Sequence, residues 1–147
     1  MIEKIMIATD GSETSERAAR FGVELARNLG ARVIAVYVAD TGRLSHLPDE
    51  MILVGIRDML LKEGEDATSY VESIASNAGV TCEKRVVEGK PTDEILKLSR
   101  DLNVDLLVMG SVGRSGLDRF LLGSVAEKVV QHSKVPVLTV PGERKEG

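Results

Sequence analysis

The chain is poor in the residue types that many redox and stacking sites need. Of its 147 residues, one is cysteine, none is tryptophan and 3% are aromatic. Because Cys82 is the only cysteine, the chain forms neither an intramolecular disulfide nor a thiolate metal cluster of its own, which fits a reducing compartment such as the cytoplasm. The scarcity of aromatic residues argues against a stacking platform for single-stranded nucleic acid.

A net positive charge and long apolar runs are also missing. The net charge of -4 gives no overall positive field for DNA or RNA. The apolar N-terminus is interrupted by Glu3 and Lys4, and the longest apolar stretch, from Met51 to Leu61, is shorter than the roughly 20 residues that span a bilayer. We therefore expect a cytoplasmic protein with neither nucleic acid nor membrane as partner. The stretch from Met51 to Leu61 fits either a packed helix or a partner-binding segment.

Several familiar catalytic and phosphate-binding motifs are absent. The sequence contains no G-x-G, and Gly89-Lys90 is followed by Pro91, which excludes the dinucleotide fingerprint and the Walker A loop. There is no G-x-S-x-G nucleophile elbow. His46 and His132 lack the spacing of a metal site, and Cys82 is expected in the core. We predict no catalytic residue and no metal ligand from these side chains.

Five short runs rich in β-branched residues alternate with stretches of helical spacing. The runs cover residues 5–8, 33–38, 80–87, 104–109 and 135–140. The first helix is expected to begin after Ser12, to bury Phe21 and Leu29 with its small residues, and to end at Gly30. The next spans about 48–78 with a possible break at Gly64, and two more begin at Pro91 and Ser124. This alternation predicts an α/β fold with a five-stranded parallel sheet and helices on both faces.

A long glycine-rich turn follows the fourth run. Glycines stand at 110, 113, 116 and 123, and Gly123-Ser124 opens the last helix. Close glycines let backbone N–H groups approach a phosphate, and the dipole of a helix start favours an anion. Arg114 and Ser115 supply further donors. The alternative is a tight turn followed by an ordinary helix start.

Two other strand ends fall at the same edge of the predicted sheet. They are Ala8-Thr9-Asp10 after the first strand and Val38 near the end of the second. Ligands of open parallel sheets bind beyond these carboxyl ends. Asp10 is either a turn residue or a ligand of a ribose hydroxyl or Mg²⁺.

The spacing G-x2-G-x9-G-S, formed by Gly110, Gly113, Gly123 and Ser124, resembles the nucleotide motif of the universal stress protein family in its ATP-binding branch. The likeness extends to the opening KIMIATDGS, the segment EGKPTDEIL and the closing LLGSVAEKVVQHSKVPVLTV. It implies a Rossmann-like sheet in the order 3-2-1-4-5 with four helices. It also implies one nucleotide-binding domain over residues 1–141, a flexible tail over 142–147 and a role in the stress response.

The resemblance further implies the ligand and its contacts. ATP, with Mg²⁺ accompanying the phosphates, lies against Ala8, Thr9 and Asp10, and the backbone at Val38 contacts adenine. The ribose and phosphates follow Met109, Gly110 and Gly113, and the terminal phosphates reach Gly123, Ser124 and Val125. Many relatives carry His where this chain has Val112, so the resemblance does not carry over one polar side-chain contact, although the backbone cradle remains.

Two classes of function remain open at this point. One is a binding module or switch whose ATP-bound state is read by a downstream protein or by its own dimerisation. The other is a slow ATPase or phosphate-transferring enzyme, for which Arg114 and Arg119 supply charge but no base is evident. We favour binding.

A homodimer through the last strand, from Val135 to Val140, is expected because this uncharged strand lies at the sheet edge and because relatives commonly dimerise there. A solvated edge, or one covered by the tail, is the alternative.

Overall fold

A computed structural model describes residues 1–112 and 122–142, apart from the side chains of Arg43 and Ser45. The strands are β1 (Lys4–Ala8), β2 (Arg32–Ala39), β3 (Cys82–Glu88), β4 (Leu106–Gly110) and β5 (Val137–Val140). The helices are α1 (Glu13–Leu29), α2 (Glu50–Asn77), α3 (Pro91–Asp101) and α4 (Ser124–His132), with a 3₁₀ turn at Thr41–His46. Gly113, Arg114, Ser115, Gly116 and Arg119 lie outside the described residues, as does most of the predicted tail.

The five strands form one sheet in the order β3-β2-β1-β4-β5, and every neighbouring pair is parallel. Both the fold class and the strand order are therefore confirmed. Sequence order reverses beside β1, whose two neighbours are β2 and β4. A ligand crevice of a doubly wound sheet forms at such a reversal point.

The side chains of β1 divide the core into two layers, because successive residues of a strand point to opposite faces. Ile5 and Ile7 belong to the cluster that includes residues of α1 and α2. Met6 and Ala8 belong to the cluster that includes residues of α3 and α4. All four are buried, so the sheet is covered on both faces, as the near-continuous apolar runs predict.

The predicted helix starts and ends agree with the structure. The Ser12 hydroxyl caps α1 by accepting from the N–H of Ser15 at 3.2 Å. Gly30 ends α1 in the left-handed region with a φ of 67°, where glycine carries no Cβ penalty. Helix α3 begins at Pro91 and α4 at Ser124.

Two details of the helices were predicted wrongly. Gly64 does not break α2, which is continuous. A Cβ there would lie 2.6 Å from Cδ1 of Tyr37, so the glycine makes room for an aromatic ring rather than for a bend. Phe21 and Leu29 are 53% and 47% exposed. Small residues let α1 lie close to the sheet: a Cβ added at Gly22 would be 2.8 Å from Ile7 Cδ1. The two larger side chains lie outside that contact.

The apolar stretch from Met51 to Leu61 lies in α2, but only part of it packs. Leu60 and Leu61 contact the small cluster formed by Tyr37, Ala39 and Ala67. Met51 is 85% exposed, and Ile52, Val54 and Met59 are also exposed. The expectation of a helix is thus confirmed, whereas packing along its whole length is not. Among the described residues, no helix is long and apolar enough to cross a membrane.

Candidate functional site

The turn between β1 and α1 is held in shape by short side chains. The Thr9 N–H donates to the Val36 carbonyl at 2.9 Å, and the Thr9 and Ser15 hydroxyls are 3.0 Å apart. Asp10 Oδ1 accepts from the Ser12 N–H at 2.9 Å, so Asp10 does have the turn role considered for it. Gly11 has a φ of 81°, which lets the chain reverse over the end of the sheet.

The end of β4 lies tightly against the start of α1. A Cβ on Gly110 would be 2.9 Å from Thr14 Cγ2 and 3.3 Å from the Ser15 nitrogen. A Cβ here would therefore force the Thr14 side chain to move and would press on the backbone at the start of α1, which favours glycine at this position. The next residue, Ser111, is buried, and its hydroxyl has no hydrogen-bond partner among the described residues. Val112 is also buried.

Helix α4 begins where the chain returns to the end of β4. The Gly123 N–H donates to the Ser111 carbonyl at 2.6 Å, which joins the two ends of the glycine-rich turn. Gly123 is the N-cap residue, and it provides no side-chain cap for the first N–H groups of the helix. These N–H groups are therefore available to an acceptor from outside the helix.

Strand β2 extends beyond the end of β1. Val36 directs its backbone groups toward β1, since its carbonyl accepts from Thr9. Backbone direction alternates along a strand, so Val38 directs its N–H and C=O to the same side. Within the described part of the chain, no backbone hydrogen bond joins Val38 to the β1 side. One donor and one acceptor thus face the region beyond β1.

These features surround one cavity of about 350 Å³, here called the inner cavity. All nine described residues of the predicted site line it: Ala8, Thr9, Asp10, Val38, Met109, Gly110, Gly123, Ser124 and Val125. The other three, Gly113, Arg114 and Ser115, lie outside the described residues. The structure therefore brings together three strand ends and one helix start, whose residues are up to 117 positions apart in the sequence, between Ala8 and Val125.

Further lining residues were not predicted. They are Ser15, Val36, Pro91, Ile95, Val112 and Ala126. A signal existed for Pro91 and Ile95, because both belong to the segment EGKPTDEIL that follows the third strand. The apolar members of the lining make the cavity suitable for a flat, weakly polar group, while the turn and helix starts supply polar groups at its edge.

A second cavity of about 540 Å³, here called the outer cavity, adjoins the inner one. The two share Pro91, Ser124 and Val125 in their linings. The outer cavity lies between the residues after β2, the first turn of α3 and the first turn of α4. Its polar residues include His46, whose position in the sequence lacks the spacing of a metal site.

Cys82 and His132 line neither of the two cavities. Cys82 is half-buried, and burial raises the pKa of its thiol to about 11. A thiol with such a pKa stays protonated near neutral pH and is a poor nucleophile. His132 is exposed in the last turn of α4. The described residues contain no group of three or more His, Cys, Asp or Glu side chains that could hold a metal ion.

Comparisons with known proteins agree with this architecture. The model of the universal stress protein family matches residues 1–141. Universal stress protein MJ0531 of Methanocaldococcus jannaschii is 39% identical over 146 residues, which are 99% of this chain and 86% of that protein.

Solved structures show the same fold. MJ0577 from the same organism superposes with a TM-score of 0.81 at 30% identity, over 100% of this chain and 99% of that one. A universal stress protein solved in complex with cAMP has a TM-score of 0.72 and 30% identity, covering 94% and 96%. The Archaeoglobus fulgidus universal stress protein in complex with dAMP has a TM-score of 0.67 and 26% identity, covering 95% and 98%.

Proposed function

This chain belongs to the universal stress protein family, and we propose that it is a regulatory module that binds ATP in the inner cavity. The observation that carries the proposal is the convergence of nine predicted residues, from three strand ends and one helix start, on a single cavity. Two structural neighbours were solved with the adenine nucleotides cAMP and dAMP, which supports the same ligand class here.

Adenine fits the apolar part of the inner cavity. Val38, Ile95 and Met109 supply the apolar surface, and the backbone of Val38 supplies a donor and an acceptor on the β1 side. The edge of adenine offers a ring nitrogen that accepts and an amino group that donates, so the two backbone groups match it. Guanine presents a carbonyl oxygen and a ring N–H at the corresponding positions, and we expect GTP to bind more weakly than ATP.

The phosphates fit the start of α4. The uncapped N–H groups at Ser124 and Val125 and the helix dipole favour an anion in a chain whose net charge is negative. Gly113, Arg114 and Ser115 are proposed to complete this cradle. Asp10 keeps one carboxylate oxygen on the Ser12 N–H while lining the cavity, and it is proposed to bind a ribose hydroxyl or the Mg²⁺ that accompanies the phosphates.

Binding with slow or no turnover is the expected activity. Phosphoryl transfer requires a positioned nucleophile and charge at the reacting phosphate. Among the described residues that line the inner cavity, the one titratable side chain is Asp10. A module that holds ATP and presents its bound state to a downstream protein needs no such base.

Mass spectrometry of nucleotide retained after native purification tests this function. We expect ATP in the released small-molecule fraction, in an amount approaching one per chain. Incubation of purified protein with Mg²⁺ and ATP should release phosphate no faster than a buffer control. Rapid phosphate release would instead support an ATPase, and protein that neither retains nor binds an adenine nucleotide would contradict the proposal.

We also propose that the protein is a homodimer paired through β5. The two edges of the sheet differ in a way that supports this assignment. Edge strand β3 carries Glu83, Lys84 and Arg85, and Lys84 pairs with Glu65 at 2.6 Å. Edge strand β5 reads VLTV, without charge, and its first three side chains are only half-buried. Charged residues protect an edge from pairing, whereas an uncharged edge favours it.

Light scattering after size exclusion tests the dimer. The wild type should show about twice the mass of one chain at micromolar concentration. Thr139→Lys places a charge in the proposed contact and should shift the population toward monomer. Thr81→Lys, at the start of the opposite edge, is the matched control and should leave the mass unchanged. A wild-type mass equal to one chain would contradict the proposal.

A further inference from the structure

The outer cavity has a lining unlike that of the inner one. Whereas most of the inner lining is apolar, the outer lining includes the polar and charged residues Lys90, Lys128, His46, Thr92, Asp40 and Asp93. Lys90 comes immediately before α3, and Lys128 lies one turn into α4. The two lysines thus approach the cavity from different helices.

The outer cavity is continuous with the proposed phosphate position. Ser124 and Val125, whose N–H groups open α4, belong to both linings. Pro91, the first residue of α3, is also shared. A phosphate chain that passes the start of α4 therefore enters a space bordered by two helix starts and two lysines. Each ammonium group can donate to a phosphate oxygen, and each helix start adds favourable dipole interactions with an anion.

The charges of this lining favour a magnesium-bound ligand over a bare anion. Asp40 and Asp93 balance the two lysines in formal charge, so the cavity does not attract anions through net charge alone. A magnesium polyphosphate brings oxygens for the lysines and a cation for the carboxylates. Both lysines are exposed, and neither forms an ion pair in the described part of the chain.

We infer that the outer cavity is a polyphosphate subsite in which Lys90 and Lys128 make this chain select nucleoside triphosphates over monophosphates. The inference rests on the proposed nucleotide site in the inner cavity. It goes further by stating how many phosphates the bound nucleotide carries. The nucleotides seen with the two structural neighbours, cAMP and dAMP, carry one phosphate each. A monophosphate reaches the start of α4 but does not extend to the lysines.

Titration calorimetry with ATP and AMP, each with Mg²⁺, tests the inference on four proteins: the wild type, Lys90→Gln, Lys128→Gln and Lys97→Gln. Lys97 is exposed on α3 and does not line the outer cavity, so its replacement changes the net charge equally without touching the subsite. Thermal unfolding without nucleotide checks that each variant folds.

We expect the wild type to bind ATP at least about tenfold more tightly than AMP, since charged hydrogen bonds to the additional phosphates contribute to ATP alone. Lys90→Gln and Lys128→Gln should each weaken ATP about three- to tenfold and leave AMP within about twofold. Lys97→Gln should change neither. Removal of Mg²⁺ should weaken ATP more than AMP.

Several results would overturn the inference. If both nucleotides bind the wild type equally, or if the two lysine variants keep its ATP affinity or weaken ATP and AMP alike, the outer cavity does not select by phosphate number, although the proposed function stands. If the wild type binds neither nucleotide, the inference and the proposed function fail together.

Discussion

The two ends of the sheet differ in how their polar groups are hydrogen-bonded. At the amino end, polar groups pair with one another: Asp105 Oδ2 accepts from the N–H groups of Glu3 and Lys4 at 2.9 and 3.0 Å, and Lys4 Nζ donates to the Leu102 carbonyl at 3.2 Å. At the carboxyl end, the backbone of Val38 and the start of α4 keep groups available, and the buried Ser111 hydroxyl has no hydrogen-bond partner in the part of the chain that the structure describes.

Because of this difference, the amino end contributes mainly to the stability of the fold and the carboxyl end mainly to ligand binding. Paired groups at the amino end connect the start of β1 to the residues before β4 and thereby stabilise the fold. Available donors at the carboxyl end contribute little to the fold of the free protein but can bind a ligand. Substitutions at the two ends should therefore have opposite signatures, one in nucleotide affinity and the other in thermal stability.

The largest change in affinity is expected from Ser124→Pro. Proline is well tolerated as the first residue of a helix, and it removes a single N–H that faces the inner cavity. Loss of one hydrogen bond to a charged phosphate should weaken ATP by about ten- to a hundredfold. The melting temperature without nucleotide should stay close to that of the wild type. Calorimetry and thermal unfolding measure the two quantities.

Ser124→Ala is the matched control for this variant. It removes the hydroxyl and keeps the N–H, so its effect on ATP affinity should be clearly smaller. Equal losses in the two variants would mean that the side chain, and not the backbone at the start of α4, holds the phosphates.

A smaller loss of affinity is expected from Asp10→Asn. The amide oxygen can still accept from the Ser12 N–H, so the turn after β1 should be preserved, but the negative charge is lost. We expect ATP affinity to fall about three- to tenfold with little change in melting temperature. Asp10→Ala, which also removes the turn hydrogen bond, should lower both. If Asp10→Asn bound ATP as tightly as the wild type, the role of Asp10 would be limited to the hydrogen bond that shapes the turn after β1.

The smallest effect on binding, and a clear effect on stability, is expected from Asp105→Asn at the amino end. The N–H groups of Glu3 and then Lys4 lower the pKa of Asp105 because they bind its ionised form. Replacing that carboxylate should lower the melting temperature and leave ATP affinity unchanged. A loss of affinity as large as that in Asp10→Asn would show that the two ends are not independent.

The pH dependence of the same pair of proteins sharpens this point. A carboxyl group whose folded pKa lies below its unfolded value of about 3.9 contributes stability above that value and loses it as pH falls through the folded pKa. The difference in melting temperature between the wild type and Asp105→Asn should thus be constant near neutral pH and shrink below about pH 4. A difference that grows on acidification would contradict this origin.

Most of the fold could be predicted from the sequence because the signals are local. Apolar runs such as residues 104–109 indicate buried strands, and Ser12, Gly30 and Pro91 mark helix ends through their own hydrogen bonds and dihedral angles. The two wrong predictions concern positions whose structure is determined by contacts with residues far away in the sequence. Glycine occurs at position 64 because the Tyr37 ring lies against it, and Phe21 is exposed because Gly22 brings α1 close to the sheet.

The inner cavity was predicted better than the outer one for a related reason. Its residues follow strand ends, and in a parallel sheet the topology brings these ends together. The outer cavity combines Asp40, which follows β2, Lys90, which precedes α3, and Lys128, which lies within α4; no spacing motif connects these three positions. Only the packing of the starts of α3 and α4 beside the residues after β2 places these three side chains around one space.

The most direct test of the central claim is calorimetric titration of the wild-type protein with ATP and Mg²⁺, paired with thermal unfolding at the same ligand concentrations. We expect saturable binding near one ATP per chain. At a free concentration of about 100 times the dissociation constant, binding should stabilise the native state by about 2.7 kcal/mol. Absence of both binding heat and a melting shift at millimolar ATP would contradict the assignment of the inner cavity as a nucleotide site.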